Sequence, residues 1–167
     1  AFIQLGQRIG AETLYKYYKA FGLMNRTGVA ISGEQSSLLN DVNNLTGVDL
    51  ASISFGQGLS ITPLQLITAV SATVNDGVLM KPRIVKQITN TDTGAVTNIE
   101  TEKVRQVISK ETSETIRDLM ESVVTDGTGK HAAVTGYSIG GKSGTSEPPV
   151  GREEDGYVAS FISVAPI

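Results

Sequence analysis

The decapeptide Gly136-Tyr137-Ser138-Ile139-Gly140-Gly141-Lys142-Ser143-Gly144-Thr145 holds the residues best suited to chemistry in this chain. Three patterns fit it, and each demands a different backbone. Gly136, four residues, then Gly141-Lys142-Ser143 matches a phosphate-binding loop, which needs a helix to begin at the Lys-Ser pair so that free amides can hold phosphate. Residues 144–151 contain two prolines and two glycines, which oppose that helix. Gly136-x-Ser138-x-Gly140 matches a nucleophile elbow, which also needs a helix after the serine and a histidine later in the chain. His131, the single histidine, comes before it and reads as a surface loop residue. The third pattern is Lys142-Ser143-Gly144 followed by Thr145, and it asks for a strand. On an exposed strand edge, Gly144 lets another backbone approach closely. Lys142 supplies positive potential for a carboxylate and for proton shuttling, and the Ser143 and Thr145 hydroxyls can donate to that carboxylate. A backbone N–H just after the glycine can point at a developing oxyanion.

The surrounding elements favour the strand. Phe2 to Phe21 reads as two short helices divided by Gly10, with Leu5 and Ile9 on one face of the first. Leu14, Tyr17, Tyr18 and Phe21 share a face of the second, and Gly22 ends it. Residues 25–60, rich in Gly, Ser and Asn, predict an ordered irregular segment. Thr62-Pro63-Leu64-Gln65 then supplies a capping threonine, a proline at the first helical position and a glutamine three residues after the cap. Leu64, Ile67, Val70 and Val74 form its expected apolar stripe, and Asn75-Asp76-Gly77 stops it. Strands are expected at 83–89, 96–99 and 104–108, the first two joined as a hairpin through Asp92-Thr93-Gly94. Ser109 caps a further helix with Ile116, Leu119, Met120, Val123 and Val124 as its stripe, ended by Gly127-Thr128-Gly129. The final residues read as a strand over 137–146, a Pro- and charge-rich loop, and a strand over 157–165. The near-continuous small and apolar run of that last strand predicts burial on both faces.

Composition removes several other classes of function. A net charge of −3 with no basic run excludes a nucleic-acid footprint. The absence of cysteine excludes disulfides and thiolate chemistry, and one histidine gives no basis for a zinc site, so no cofactor or metal is expected. No segment reaches the ~18 apolar residues of a membrane-spanning helix. The mixed run Arg152-Glu153-Glu154-Asp155 reads as a solvated loop. The opening residues Ala1-Phe2-Ile3-Gln4 have neither an initiator Met nor a basic leader, which suggests a chain cut from something longer.

The triplet does not stand alone. Ser54-Phe55-Gly56-Gln57-Gly58 followed by Ser60-Ile61-Thr62-Pro63-Leu64-Gln65 resembles a hallmark of the penicillin-binding transpeptidases, as does the continuation through Asn75-Asp76-Gly77 to Met80-Lys81-Pro82-Arg83. Val123-Val124 to Gly127-Thr128-Gly129-Lys130 looks like the stretch ahead of that family's Lys-Ser/Thr-Gly strand. Tyr157-Val158-Ala159-Ser160-Phe161 to Ala165-Pro166 looks like its next strand. The opening through Phe21-Gly22-Leu23 and Gly28 is most similar to class B members, monofunctional enzymes that cross-link peptidoglycan.

The resemblance implies a mixed α+β fold of the β-lactamase/transpeptidase type, with antiparallel strands and packed helices, residues 1–167 forming one partial domain truncated at both ends. It implies acyl transfer from a D-Ala-D-Ala stem peptide through a serine that β-lactams trap. Lys142 and the Thr145 backbone N–H take catalytic roles, and Ser143, Gly144 and Thr145 bind substrate. Ser143 stands where threonine is frequent and keeps the hydroxyl. No Ser in the chain has Lys three positions on, and no Ser-x-Asn occurs, so the nucleophile is expected elsewhere and this polypeptide is expected to be inert alone. The implied setting is the extracytoplasmic face of the bacterial membrane, with divisome or elongasome partners. Self-association through an unpaired sheet edge is a further expectation. A D,D-carboxypeptidase or β-lactamase, or a β-lactam-sensing receptor domain, would share the triplet.

Overall fold

The computed structural model describes residues 1–148, 151, 152, 154 and 156–167. Helix and strand are mixed, as expected, and the chain forms two compact units, Ala1–Ser109 and Lys110–Ile167.

The first unit opens with α1 (Phe2–Ile9) and α2 (Ala11–Ala20), separated by Gly10 at φ 81°. Their buried faces differ from the expected stripes. Gly6 is the buried residue of α1, because a missing Cβ lets Ser54 come against the helix, while Leu5 and Ile9 remain exposed. On α2 it is Tyr15 that is buried, and Tyr17 that is exposed. The Tyr15 hydroxyl donates to the Asn40 carbonyl at 2.9 Å, and that of Tyr18 to the Ile53 carbonyl at 3.1 Å. These bonds let large rings be placed by their polar tips.

The segment predicted to be irregular contains a helix, α3 (Gly47–Ile53). Thr46 and Asp49 close a reciprocal capping box: the Thr46 hydroxyl accepts from the Asp49 amide at 3.2 Å, and the Asp49 carboxylate accepts from the Thr46 amide at 2.8 Å. Hydrogen bonds from the Thr46 hydroxyl and then its amide hold the Asp49 carboxyl below the usual carboxylate range. Nearby, Glu34 ties the preceding loop by accepting from the Thr27 hydroxyl and amide, both at 2.6 Å, and from the Gly28 amide at 3.1 Å.

Helix α4 (Pro63–Val74) starts as the sequence predicts, with Thr62 and Gln65 exchanging cap bonds at 3.1 and 2.9 Å. Its buried face is Gln65, Ala69 and Ala72 instead of the larger apolar residues, and Ile67 is exposed. Small residues allow close packing, and Gln65 is admitted because its amide is fully used. At 1% exposure it also donates to the carbonyls of Leu23 at 3.3 Å and Asn25 at 2.7 Å. Gln65→Leu takes the donor away from both carbonyls and undoes the cap, so a loss of about 2 kcal/mol is expected in denaturant unfolding. A loss below about 0.5 kcal/mol would show that water replaces the amide without penalty.

After α4, Asp76 (φ 58°) and Gly77 (φ 80°) turn the chain into β1 (Val78–Met80), a strand the sequence reading missed. It pairs antiparallel with β4 (Lys103–Gln106), with a bulge between Leu79 and Met80. Buried Leu79 and Val29 join Tyr15, Ile53, Ala69 and Ala72 in this unit's core. The hairpin of β2 (Gln87–Thr89) and β3 (Val96–Asn98) forms as predicted, though β2 is shorter than the expected 83–89.

In the second unit, α5 (Lys110–Thr125) buries Ser113, Met120 and Val124, while Leu119, expected in its stripe, is exposed. It packs on β5 (Gly140–Ser146), which pairs antiparallel with β6 (Val158–Val164). The expectation that β6 is buried on both faces is not met: its residues are exposed or at most half-buried. Among the described residues only β5 pairs with it, and α5 packs on β5, so β6 itself is left largely open. Of the charged run after β5, Arg152 and Glu154 are exposed, and Glu153 and Asp155 lie outside the described residues.

Candidate active-site strand

The decapeptide is extended where it matters. Gly140 to Ser146 form β5, so no helix begins at Lys142 and the phosphate-loop geometry is not there. The nucleophile elbow fails as well. Ser138 is followed by strand, and its hydroxyl donates to the Glu121 carboxylate at 2.5 Å. His131 sits exposed in the short 3₁₀ turn Lys130–Ala132.

Two glycines bring β5 close to its neighbours. A Cβ on Gly140 would meet the Met120 side chain at 3.0 Å and the Glu121 amide at 3.1 Å, so only a bare α-carbon allows α5 so near. A Cβ on Gly141 would run into the Phe161 ring and the Ile162 carbonyl. The same ring lies 3.1 Å from where a Gly129 Cβ would be, so Phe161 is held between two glycines.

The register places Lys142 opposite Ile162, Ser143 opposite Phe161, Gly144 opposite Ser160 and Thr145 opposite Ala159. Directly opposed residues share a face, so Gly141, Ser143 and Phe161 lie on one side of the ribbon and Lys142, Gly144 and Ser160 on the other. The Gly144 carbonyl accepts the Ser160 hydroxyl at 3.3 Å, which turns it toward β6. By strand alternation the N–H and C=O of Ser143 and Thr145 then face the opposite edge. The Lys142 ammonium agrees with this, donating to the Ser143 carbonyl at 2.7 Å. Among the described residues no strand pairs with that edge. Lys142, Gly144 and Thr145 are exposed there, and Ser143 is half-buried.

Such an edge is fitted to accept an extended peptide as an added strand, with an ammonium, two hydroxyls and a forward-facing amide at one point along it. Two residues named in the sequence only as parts of longer stretches prove to be neighbours of the triplet: Thr128, whose hydroxyl lies 3.5 Å from that of Ser143, and Phe161. The glycines on either side of Thr128 marked a tight turn but not its destination. Among the described residues, no three or more His, Cys, Asp or Glu gather to hold a metal. No helix there is long and apolar enough to cross a membrane.

Comparison with known proteins agrees along the whole chain. The family described as penicillin-binding protein transpeptidase domain matches residues 1–167. Stage V sporulation protein D of Bacillus subtilis is 42% identical over 99% of this chain and 26% of its own length. The probable peptidoglycan D,D-transpeptidase PenA of Neisseria gonorrhoeae is 34% identical over 98% of this chain and 27% of its length. Penicillin-binding protein 3 of Mycobacterium tuberculosis, solved with aztreonam, superposes with a TM-score of 0.88 at 35% identity, covering 98% of this chain and 39% of that one. The chain thus spans about a quarter of the length of the curated relatives it matches. It belongs to the penicillin-binding protein transpeptidase family, on the class B side to which its motifs pointed.

Proposed function

We propose that these 167 residues form part of a serine-type peptidoglycan D,D-transpeptidase, working as one domain with polypeptide that supplies the nucleophile. The observation that carries this reading is the edge of β5 with which no strand pairs among the described residues, with the Thr145 amide facing it and Lys142 beside it. A donor stem peptide lies along that edge, its terminal carboxylate received by Lys142 and by the hydroxyls of Ser143 and Thr145. A serine from outside this stretch attacks the penultimate D-Ala carbonyl. A C–O bond forms, the C–N bond to the terminal D-Ala breaks, and that D-Ala leaves with the serine's proton. The Thr145 N–H stabilises the oxyanion between these events. An amine of a neighbouring stem peptide then takes the acyl group and frees the serine. A β-lactam opens its ring amide by the same attack and stays attached. The setting is the extracytoplasmic face of a bacterial membrane, among the proteins of cell division or elongation.

No Ser-x-x-Lys occurs in the sequence, so the chain by itself has donors but no attacking group. A fluorescent penicillin is expected to label the longer protein that contains this chain and to leave the isolated 167 residues unlabelled after denaturing electrophoresis. Covalent labelling of the isolated chain would reveal a nucleophile within it and overturn the division of labour. No labelling of the longer protein would overturn the assignment itself.

A further inference from the structure

We propose that Thr128 is a positioning residue for substrate: its hydroxyl orients that of Ser143 toward the carboxylate bound at the β5 edge. The inference rests on the reading of Ser143 given above and adds a residue that the triplet does not contain.

The Gly127-Thr128-Gly129 turn is built to hold its middle residue still. The Gly129 amide donates to the Val123 carbonyl at 2.8 Å, which closes the end of α5 over the turn. A Cβ on Gly127 would fall 2.9 Å from the Val123 carbonyl oxygen, and one on Gly129 3.1 Å from that same oxygen and from the Phe161 ring. Both flanking positions are therefore pinned by backbone on one side, and the second also by an aromatic ring. Phe161 stands opposite Ser143 in the β5–β6 register and touches Gly141 two residues earlier. One ring thus fixes the turn and the strand face together, and across that junction the Thr128 and Ser143 hydroxyls are 3.5 Å apart.

A lone serine hydroxyl rotates among staggered positions, so only a fraction of its orientations serve a carboxylate. A partner that accepts the Ser143 proton would compete with the substrate, whereas one that donates to Ser143 leaves that proton free for the carboxylate. Thr128 is suited to the second role once an anion is present, because charge on the ligand favours the arrangement in which Ser143 donates outward. The effect belongs to binding of the carboxylate and not to the attack on the carbonyl.

The test uses the longer protein and stopped-flow acylation by a fluorescent penicillin and by its methyl ester, separating the binding constant from the acylation rate constant. Thr128→Val is expected to weaken binding of the penicillin about five-fold, with the acylation rate constant and the ester's constants little changed. Thr128→Ser, which keeps the hydroxyl, restores wild-type binding. In a Ser143→Ala background Thr128→Val has no further effect. Equal weakening of acid and ester by Thr128→Val, or no weakening of either, overturns the proposal while leaving Ser143 in place. A Ser143→Ala variant that binds the acid as well as wild type sinks the Ser143 reading, and this proposal with it.

Discussion

Lys142→Ala, introduced into the longer protein, is expected to lower the acylation rate by a fluorescent penicillin about 100- to 1,000-fold, the size of effect seen when one preorganised charge or donor is removed from an acyl-transfer site. The expectation follows from where the ammonium sits. It is exposed at the open edge of β5 and touches only the Ser143 carbonyl through its nitrogen among the hydrogen bonds described. Among the described residues no carboxylate pairs with it, so it is placed to meet a ligand. The same exposure means that the fold does not depend on it. The melting temperature of the variant should stay within about 2 °C of wild type, as for other surface substitutions. Lys142→Arg keeps the charge but replaces a compact ammonium with a planar fork, and it should recover part of the binding and little of the acylation rate. Labelling of Lys142→Ala within ten-fold of wild type would place the functional positive charge somewhere else.

Gly77→Ala should be the most damaging single substitution for the first unit, at least about 4 kcal/mol in denaturant unfolding, by combining backbone strain with steric overlap. Gly77 is at φ 80°, a conformation that L residues adopt at a cost of about 1–2 kcal/mol. A Cβ there would be driven into the Ile108 carbonyl, with the Ile108 carbonyl carbon and the Gln106 amide nitrogen both at 2.8 Å. The Gln106 side chain could swing aside, but the Ile108 backbone is held by the Gly77 carbonyl, which accepts from the Val107 amide at 2.8 Å. Relief would require β4 to move off β1 and expose buried Leu79. Gly94→Ala makes the useful control, since it also has positive φ (69°) but an added Cβ meets nothing within 4 Å. It should cost about 1 kcal/mol, from strain alone. Equal losses at both positions would mean that the clash at Gly77 is relieved without cost.

Local chemistry was legible wherever it was written in a short window. The capping box at Thr62 and Gln65, the hairpin turn at Asp92-Thr93-Gly94 and the extended run from Gly140 to Ser146 each follow from residues within ten positions of one another. What sequence periodicity could not supply was the choice of buried face. On α1 and α4 the largest apolar residues pointed one way and the packing another, because neighbours approach through Gly6, Ala69 and Ala72, where there is least side chain in the way; on α2 it is Tyr15, outside the expected stripe, that is buried. Helix α3 escaped notice because its composition, with Gly47 and Ser52, weighs against helix, while the signal that mattered was a single Thr46–Asp49 exchange. Strand β1 escaped because three residues show no alternation worth counting, and its pairing lies more than twenty residues away in β4. At the candidate site, the triplet was visible as a motif. The contacts of Thr128 and Phe161 with it were not, since the ring reaches Gly129 and Gly141 across the ribbon and leaves no spacing to read.

The seating of Phe161 between Gly129 and Gly141 also sets the order in which this part of the molecule is free to drift. A smaller residue at 161 removes the ring, yet neither glycine is thereby released: position 141 still faces the Ile162 carbonyl at 2.8 Å, and position 129 the Val123 carbonyl at 3.1 Å. The aromatic is able to shrink, whereas position 141 has no room to grow and position 129 very little. Codon changes at 161 should accordingly be tolerated first, a side chain at 129 only with a shift of a few tenths of an ångström in its neighbours, and one at 141 only in lineages whose main chain has already been rerouted.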